Sequence, residues 1–141
     1  MNDMRGITSS LLWGLLCLVG CTTSTRPSRS VEVPIEGADF RAPTVVRFSV
    51  RNETENVVFV SRCGDHVLPS IERLHAGTWE NAAAAICPAN LLTVAAELRP
   101  GDALSDSVGI SEPGEYRLVV SYGAGVLRIL YSAPSAPFVV H

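Results

Sequence analysis

Val46, Phe48 and Val50 alternate with Arg47, Ser49 and Arg51 along Thr44–Asn52. Successive side chains of a strand point to opposite faces, so a period of two predicts a strand with one buried face. The same period returns at Tyr116, Leu118, Val120 and Tyr122, set against Arg117, Val119 and Ser121. Turn signals punctuate the chain between these runs. Asn52 to Asn56 is polar and leads into the β-branched run Val57 to Val60, which reads as a hairpin with Thr44–Asn52. Ile71 to Leu74 and Thr78 to Glu80 flank His75-Ala76-Gly77, a second expected hairpin, with the Trp79 ring expected in the core. Arg99-Pro100-Gly101-Asp102 places Pro and Gly where a type II turn needs them. Leu91 to Leu98, Leu104 to Ile110, Val126 to Tyr131 and Phe138 to Val140 supply further strands. Ala82 to Ala85 is the one stretch that tolerates helix, and Pro88 limits it. No helical pattern alternates with the strands, which argues against a parallel α/β sheet. About seven short strands with regular turns predict an all-β fold, an antiparallel β-sandwich.

A chain that is 47% hydrophobic and 18% charged has enough apolar surface to fold, which excludes bulk disorder. Its net charge is −3, and its basic residues, all arginine, form no patch that would favour nucleic acid as a partner.

The first residues carry a different signal. Arg5 precedes the apolar stretch Leu11 to Val19, which is short for a membrane span and suits the helical core of a secretory signal peptide. The stretch closes in Leu18-Val19-Gly20-Cys21, which resembles the lipobox of bacterial lipoproteins. That resemblance implies a signal peptide over 1–20, cleavage before Cys21, and a diacylglycerol on the Cys21 thiol that holds the chain on a membrane. Cys17 lies within the apolar stretch and reads as filler. Thr22 to Arg29 is polar and rich in hydroxyls, as a flexible tether would be. The tether is expected to run to Pro43, with a short edge strand over Val31–Ile35 that Pro34 weakens. The lipidated N-terminus and linker thus span 21–43, and the globular domain 44–141.

The segment from Arg99-Pro100-Gly101-Asp102 to Glu112-Pro113-Gly114-Glu115-Tyr116-Arg117 is a Pro-Gly-acid turn, a strand, and Pro-Gly-x-Tyr-Arg. With Cys63-Gly64, Trp79 after a glycine turn, and the closing Ser135 to Val140, it resembles the immunoglobulin-like domains of small, largely uncharacterised bacterial lipoproteins. The resemblance implies an immunoglobulin-like sandwich preceded by a signal peptide and linker. It also makes Tyr116 a candidate tyrosine corner, whose hydroxyl reaches back to the backbone. Leu118 stands where antibody domains carry a cysteine, so any disulfide here is a different one.

Two readings of Cys63 and Cys87 stay open. An exported chain meets an oxidising compartment, where these two would form a disulfide. Alternatively, Cys63, His66, His75 and Cys87 could supply a tetrahedral zinc site. A blue-copper site lacks its methionine, since Met1 and Met4 fall in the signal. Neither Gly-x-Ser-x-Gly nor His-Glu-x-x-His occurs, Asp65 beside His66 reads as a solvated turn, and Glu53 and Glu55 read as solubilising charges. The expectation is therefore a non-catalytic module without cofactor. It would sit outside the cytoplasm, on the periplasmic face of an outer membrane or at the cell surface, with the membrane and an envelope protein or glycan as partners. The alternatives are a protease inhibitor presenting the Cys63–Cys87 loop and a metal-binding envelope protein.

Overall fold

The computed structural model describes residues 30–84, 86–124 and 129–141. The expected signal peptide and Cys21 lie outside them. The described chain is all-β. Its strands are β1 (Val31–Glu32), β2 (Asp39–Phe40), β3 (Thr44–Asn52), β4 (Val58–Cys63), β5 (His66–Val67) and β6 (Ser70–His75), then β7 (Thr78–Ala84), β8 (Thr93–Leu98), β9 (Ala103–Ile110), β10 (Gly114–Ala124), β11 (Ile129–Pro134) and β12 (Phe138–Val140). There are more strands than the sequence suggested, because short pairings such as β1, β2 and β5 carry too few residues to show a period.

The strands form two sheets. β1, β3 and β9 make the smaller one. The larger is built around β10, which pairs β4 and β6 along one edge and β11 and β12 along the other. β8 lies beyond β4, and β7 beyond β6. Every pairing is antiparallel except β2 with β12, so the larger sheet is mixed rather than purely antiparallel. Val46, Phe48 and Val50 of β3 and Val58, Val60, Leu118 and Val120 of the larger sheet share one buried cluster between the sheets. This is sandwich-like packing, each alternating strand giving one face to a common core.

The expected hairpin between Thr44–Asn52 and Val57–Val60 does not form. β3 pairs β1 and β9, whereas β4 pairs β10, β8 and β5, so Glu53–Val57 crosses from one sheet to the other. Asn52 organises that crossing. Its side chain is buried, and its Nδ2 donates to the Asn56 carbonyl at 2.7 Å and to the Leu98 carbonyl at 2.9 Å. Its Oδ1 accepts from the Thr54 amide at 3.0 Å and the Thr54 hydroxyl at 2.6 Å. The return crossing, from β8 to β9, uses the Pro100-Gly101 turn, where the Asp102 amide donates to the Arg99 carbonyl and Gly101 has φ 87°. That turn is tied to Asn52 as well: the Asn52 amide donates to the Asp102 carbonyl, and the Gly101 amide to the Asn52 carbonyl.

The β6–β7 hairpin does form, with Ala76 at φ 47° and Gly77 at φ 83°, both positive as a type I′ turn requires. Ala82 to Ala84 extend β7 rather than starting a helix, because β6 offers them a ladder. Trp79 is not in the core: its ring lies on the outer face, with the Arg117 guanidinium 4.6 Å from its centroid. The packed unit also begins before Thr44. Val31 and Val33 are buried, and Ile35 bridges to Phe48, so the described part of the expected linker belongs to the fold.

Candidate functional site

Cys63 and Cys87 form a disulfide. Cys63 ends β4 and is buried, and β4 returns through Gly64-Asp65 into β5. The loop that follows Cys87 is held by the Leu91 amide donating to the Pro88 carbonyl at 2.9 Å, and by the Gly64 amide donating to the Leu92 carbonyl at 3.2 Å. Both sulfurs are therefore taken, and the zinc reading loses its two thiolates. His75 lies at the β6–β7 turn, while His66 lies at the start of β5. Among the described residues, no group of three or more histidines, cysteines, aspartates and glutamates is arranged to hold a metal. The span between the cysteines is not a free loop, because it carries β5, β6 and β7.

His66 meets a carboxylate other than its neighbour. Its Nδ1 lies 3.2 Å from Asp106 Oδ1, and the Val67 amide donates to Asp106 Oδ2 at 2.6 Å. Asp65 turns the other way and pairs with Arg62 at 3.2 Å. Asp106 sits on β9 with its side chain 9% exposed, so it fastens the smaller sheet to β5 of the larger one. Sequence reading missed this residue. The available signal was parity: Leu104, Asp106, Val108 and Ile110 share the inward face, and Asp106 is the single charge among them.

Tyr116 is buried, and its hydroxyl donates to the Glu112 carbonyl at 3.0 Å across the turn that joins β9 to β10. Arg73 closes the same corner. Its guanidinium donates to Glu112 Oε2 at 3.0 Å and to the Pro113 carbonyl at 2.6 Å, with its carbon 5.7 Å from the Tyr116 ring centre. On the outer face, Arg117 stacks on Trp79 and its Nε donates to Glu72 Oε2 at 2.6 Å.

Open grooves flank the described sandwich. One of about 410 Å³ runs between β1 and β11, lined by Val31, Val33, Tyr122, Ala133 and Pro134. The Tyr122 ring stacks on Tyr131 with centroids 5.6 Å apart, and burial, then the neighbouring Tyr131, push its phenol above the usual value. Another, about 190 Å³, lies between β7 and β9 and includes Ile71, Arg73, Ala83 and Tyr116.

The least expected surface is the uncharged stretch from Asn81 to Ala96. It spans the end of β7, the disulfide loop and most of β8, and leaves Ile86 84%, Leu92 79% and Val94 45% exposed. Exposed apolar patches of this kind mark interaction surfaces more often than chemical sites. No family model, no curated protein and no solved structure matches this chain.

Proposed function

We propose that this chain is a lipid-anchored, extracytoplasmic module of the bacterial envelope with an immunoglobulin-like domain and a binding or structural role rather than a catalytic one. The observation that carries the compartment is the Cys63–Cys87 disulfide, because such bonds persist in oxidising compartments. The Leu18-Val19-Gly20-Cys21 sequence supplies the anchor: an apolar signal core, a small residue that admits the peptidase, and a nucleophilic sulfur that takes the lipid. Two or more acyl chains on Cys21 would hold the chain stably, since each buried CH₂ contributes about 0.8 kcal/mol and one chain alone binds marginally. The immunoglobulin-like assignment draws support from the Tyr116–Glu112 corner and from the two crossings that lead from one sheet to the other. A binding role draws support from the apolar rim at Ile86, Leu92 and Val94.

The test is expression of the full chain in a bacterial host fed an alkyne-tagged fatty acid, followed by fractionation and intact mass. The expected result is a membrane-bound, labelled chain beginning at a modified Cys21. Cys21→Ser should lose label and membrane association together. An unmodified start at another residue would overturn the reading.

A further inference from the structure

We propose that β8 is a self-pairing edge, through which two copies of this chain join antiparallel about a two-fold axis at Ala95. The argument starts from the sheet edges. An open edge invites further strands, and natural sheets guard edges with shortness, bulges, proline or inward charge. β1, β2 and β5 have two residues each. The ladder of β7 slips at Ile71/Glu72. β9 turns Asp106 inward, and β11 ends in Pro134. β8 has none of these guards, and its one charge is the exposed Glu97 near its end. Its six residues pair β4 without a slip, contain no proline, and leave their other edge without a strand among the described residues.

β8 also lacks cover. The smaller sheet is only three strands wide, and its β9 edge meets the larger sheet at β5 through Asp106 and Val67. β8 lies on the far side of β4, and along its inward row Leu98 is buried while Val94 stays exposed despite the same register, so the row runs out past the cover of the smaller sheet.

The register decides the occupant. Antiparallel pairing about Ala95 sets Val94 opposite Ala96 of the second copy and Leu92 opposite Leu98, an unbroken apolar row on one face. On the other face Ala95 meets itself, and Thr93 meets Glu97, so the one carboxylate of β8 faces a hydroxyl rather than its own mate. A two-fold contact must be self-complementary in this way. Charge favours this edge too. Two copies of net charge −3 repel, and this contact adds only one charge per copy, Glu97, because Asn81 to Ala96 is uncharged. A strand pair of this length buries less than the ~800 Å² per partner of standard interfaces, so the dimer is concentration-dependent. The inference stands on the edge itself, whether or not Cys21 carries lipid.

The test uses the purified full chain in mild detergent under mild oxidation. Ala95→Cys should give a disulfide-linked dimer. Thr93→Cys and Glu97→Cys should each cross-link poorly alone and well when mixed. Glu36→Cys, on an exposed bend between β1 and β2 in a part of the chain outside β8, is the background control. Val94→Lys, added to Ala95→Cys, should abolish the dimer while leaving the circular dichroism spectrum and unfolding midpoint of the monomer intact. Cross-linking of Ala95→Cys no better than the control, or self-linking of Thr93→Cys as strong as that of Ala95→Cys, would overturn the proposal.

Discussion

Asn52 donates to the carbonyl of Leu98, 46 positions away, at 2.9 Å. That single bond joins the two places where the chain passes between sheets. Because the side chain also serves Asn56 and Thr54, each of its polar atoms is satisfied in a dry site. Removing it takes the side-chain donor from the Leu98 carbonyl in a buried site and leaves a void there, which costs more than the net value of the bond. Asn52→Ala is expected to lower the unfolding free energy by about 2–3 kcal/mol. Asn52→Asp should be at least as damaging, because it replaces the Nδ2 donor with an acceptor and buries a charge. Urea unfolding of both variants measures this, and a loss under about 0.5 kcal/mol would show that the crossings do not depend on Asn52.

Tyr116→Phe isolates the corner bond to Glu112. The ring stays buried against Phe138, with centroids 6.2 Å apart, and only the hydroxyl is lost. Glu112 is exposed, so its freed carbonyl can turn to water and the cost stays near 1 kcal/mol. The denaturant midpoint should fall with the slope unchanged, since the fold buries the same surface. A changed slope would mean that the hydroxyl shapes the whole packing of β9 against β10.

Much of this fold was legible because period two survives any tertiary context: β3, β9 and β10 show their inward faces in sequence. The Pro100-Gly101 and Ala76-Gly77 turns were legible from Gly101 and Gly77, because glycine is the residue that accepts positive φ freely, whereas the positive φ of Ala76 carried no such signal. The Asn52–Asn56 connection was not, because a short polar link serves a hairpin and a crossing equally well. What decides between them is the pairing of β3 with β9 and of β4 with β8, contacts distant in sequence. Trp79 misled because aromatic bulk suggests burial, whereas the Arg117 guanidinium covers its ring on the outside. At the candidate site, the expectation of an exported chain made a disulfide one reading of the two cysteines, beside a zinc site. Asp106 could not be matched to His66, because their meeting depends on how two sheets stack.

The disulfide should matter most for the apolar rim it holds. Joining residues 24 apart restricts the unfolded chain and stabilises the fold by roughly 3 kcal/mol. Replacing both cysteines with serine should lower stability by about that amount, with protease cleavage appearing first near Ile86 to Leu92, where few backbone bonds remain. Limited proteolysis with peptide mapping would check the order. First cleavage within β3 or β10 would mean that the bond supports the core instead.

Tyr122 is expected to weaken the fold at alkaline pH. Its phenol is raised above 10.0, first by burial beside the β1–β11 groove and then by Tyr131. A raised folded-state value means that the folded protein holds this proton more tightly than the unfolded chain does. The stabilising contribution is therefore full below the unfolded value near 10, and is lost as pH rises through the higher folded value. Stability should stay level on this account from neutral pH to about 10 and decline above it. Tyr122→Phe keeps the stacked ring against Tyr131 and removes the titrating group, so its stability curve should flatten in that alkaline range. Parallel guanidinium unfolding of both proteins across pH 8 to about 11.5 gives the comparison. Equal slopes for the two would assign the alkaline decline to other groups and leave the Tyr122 ring a packing role alone.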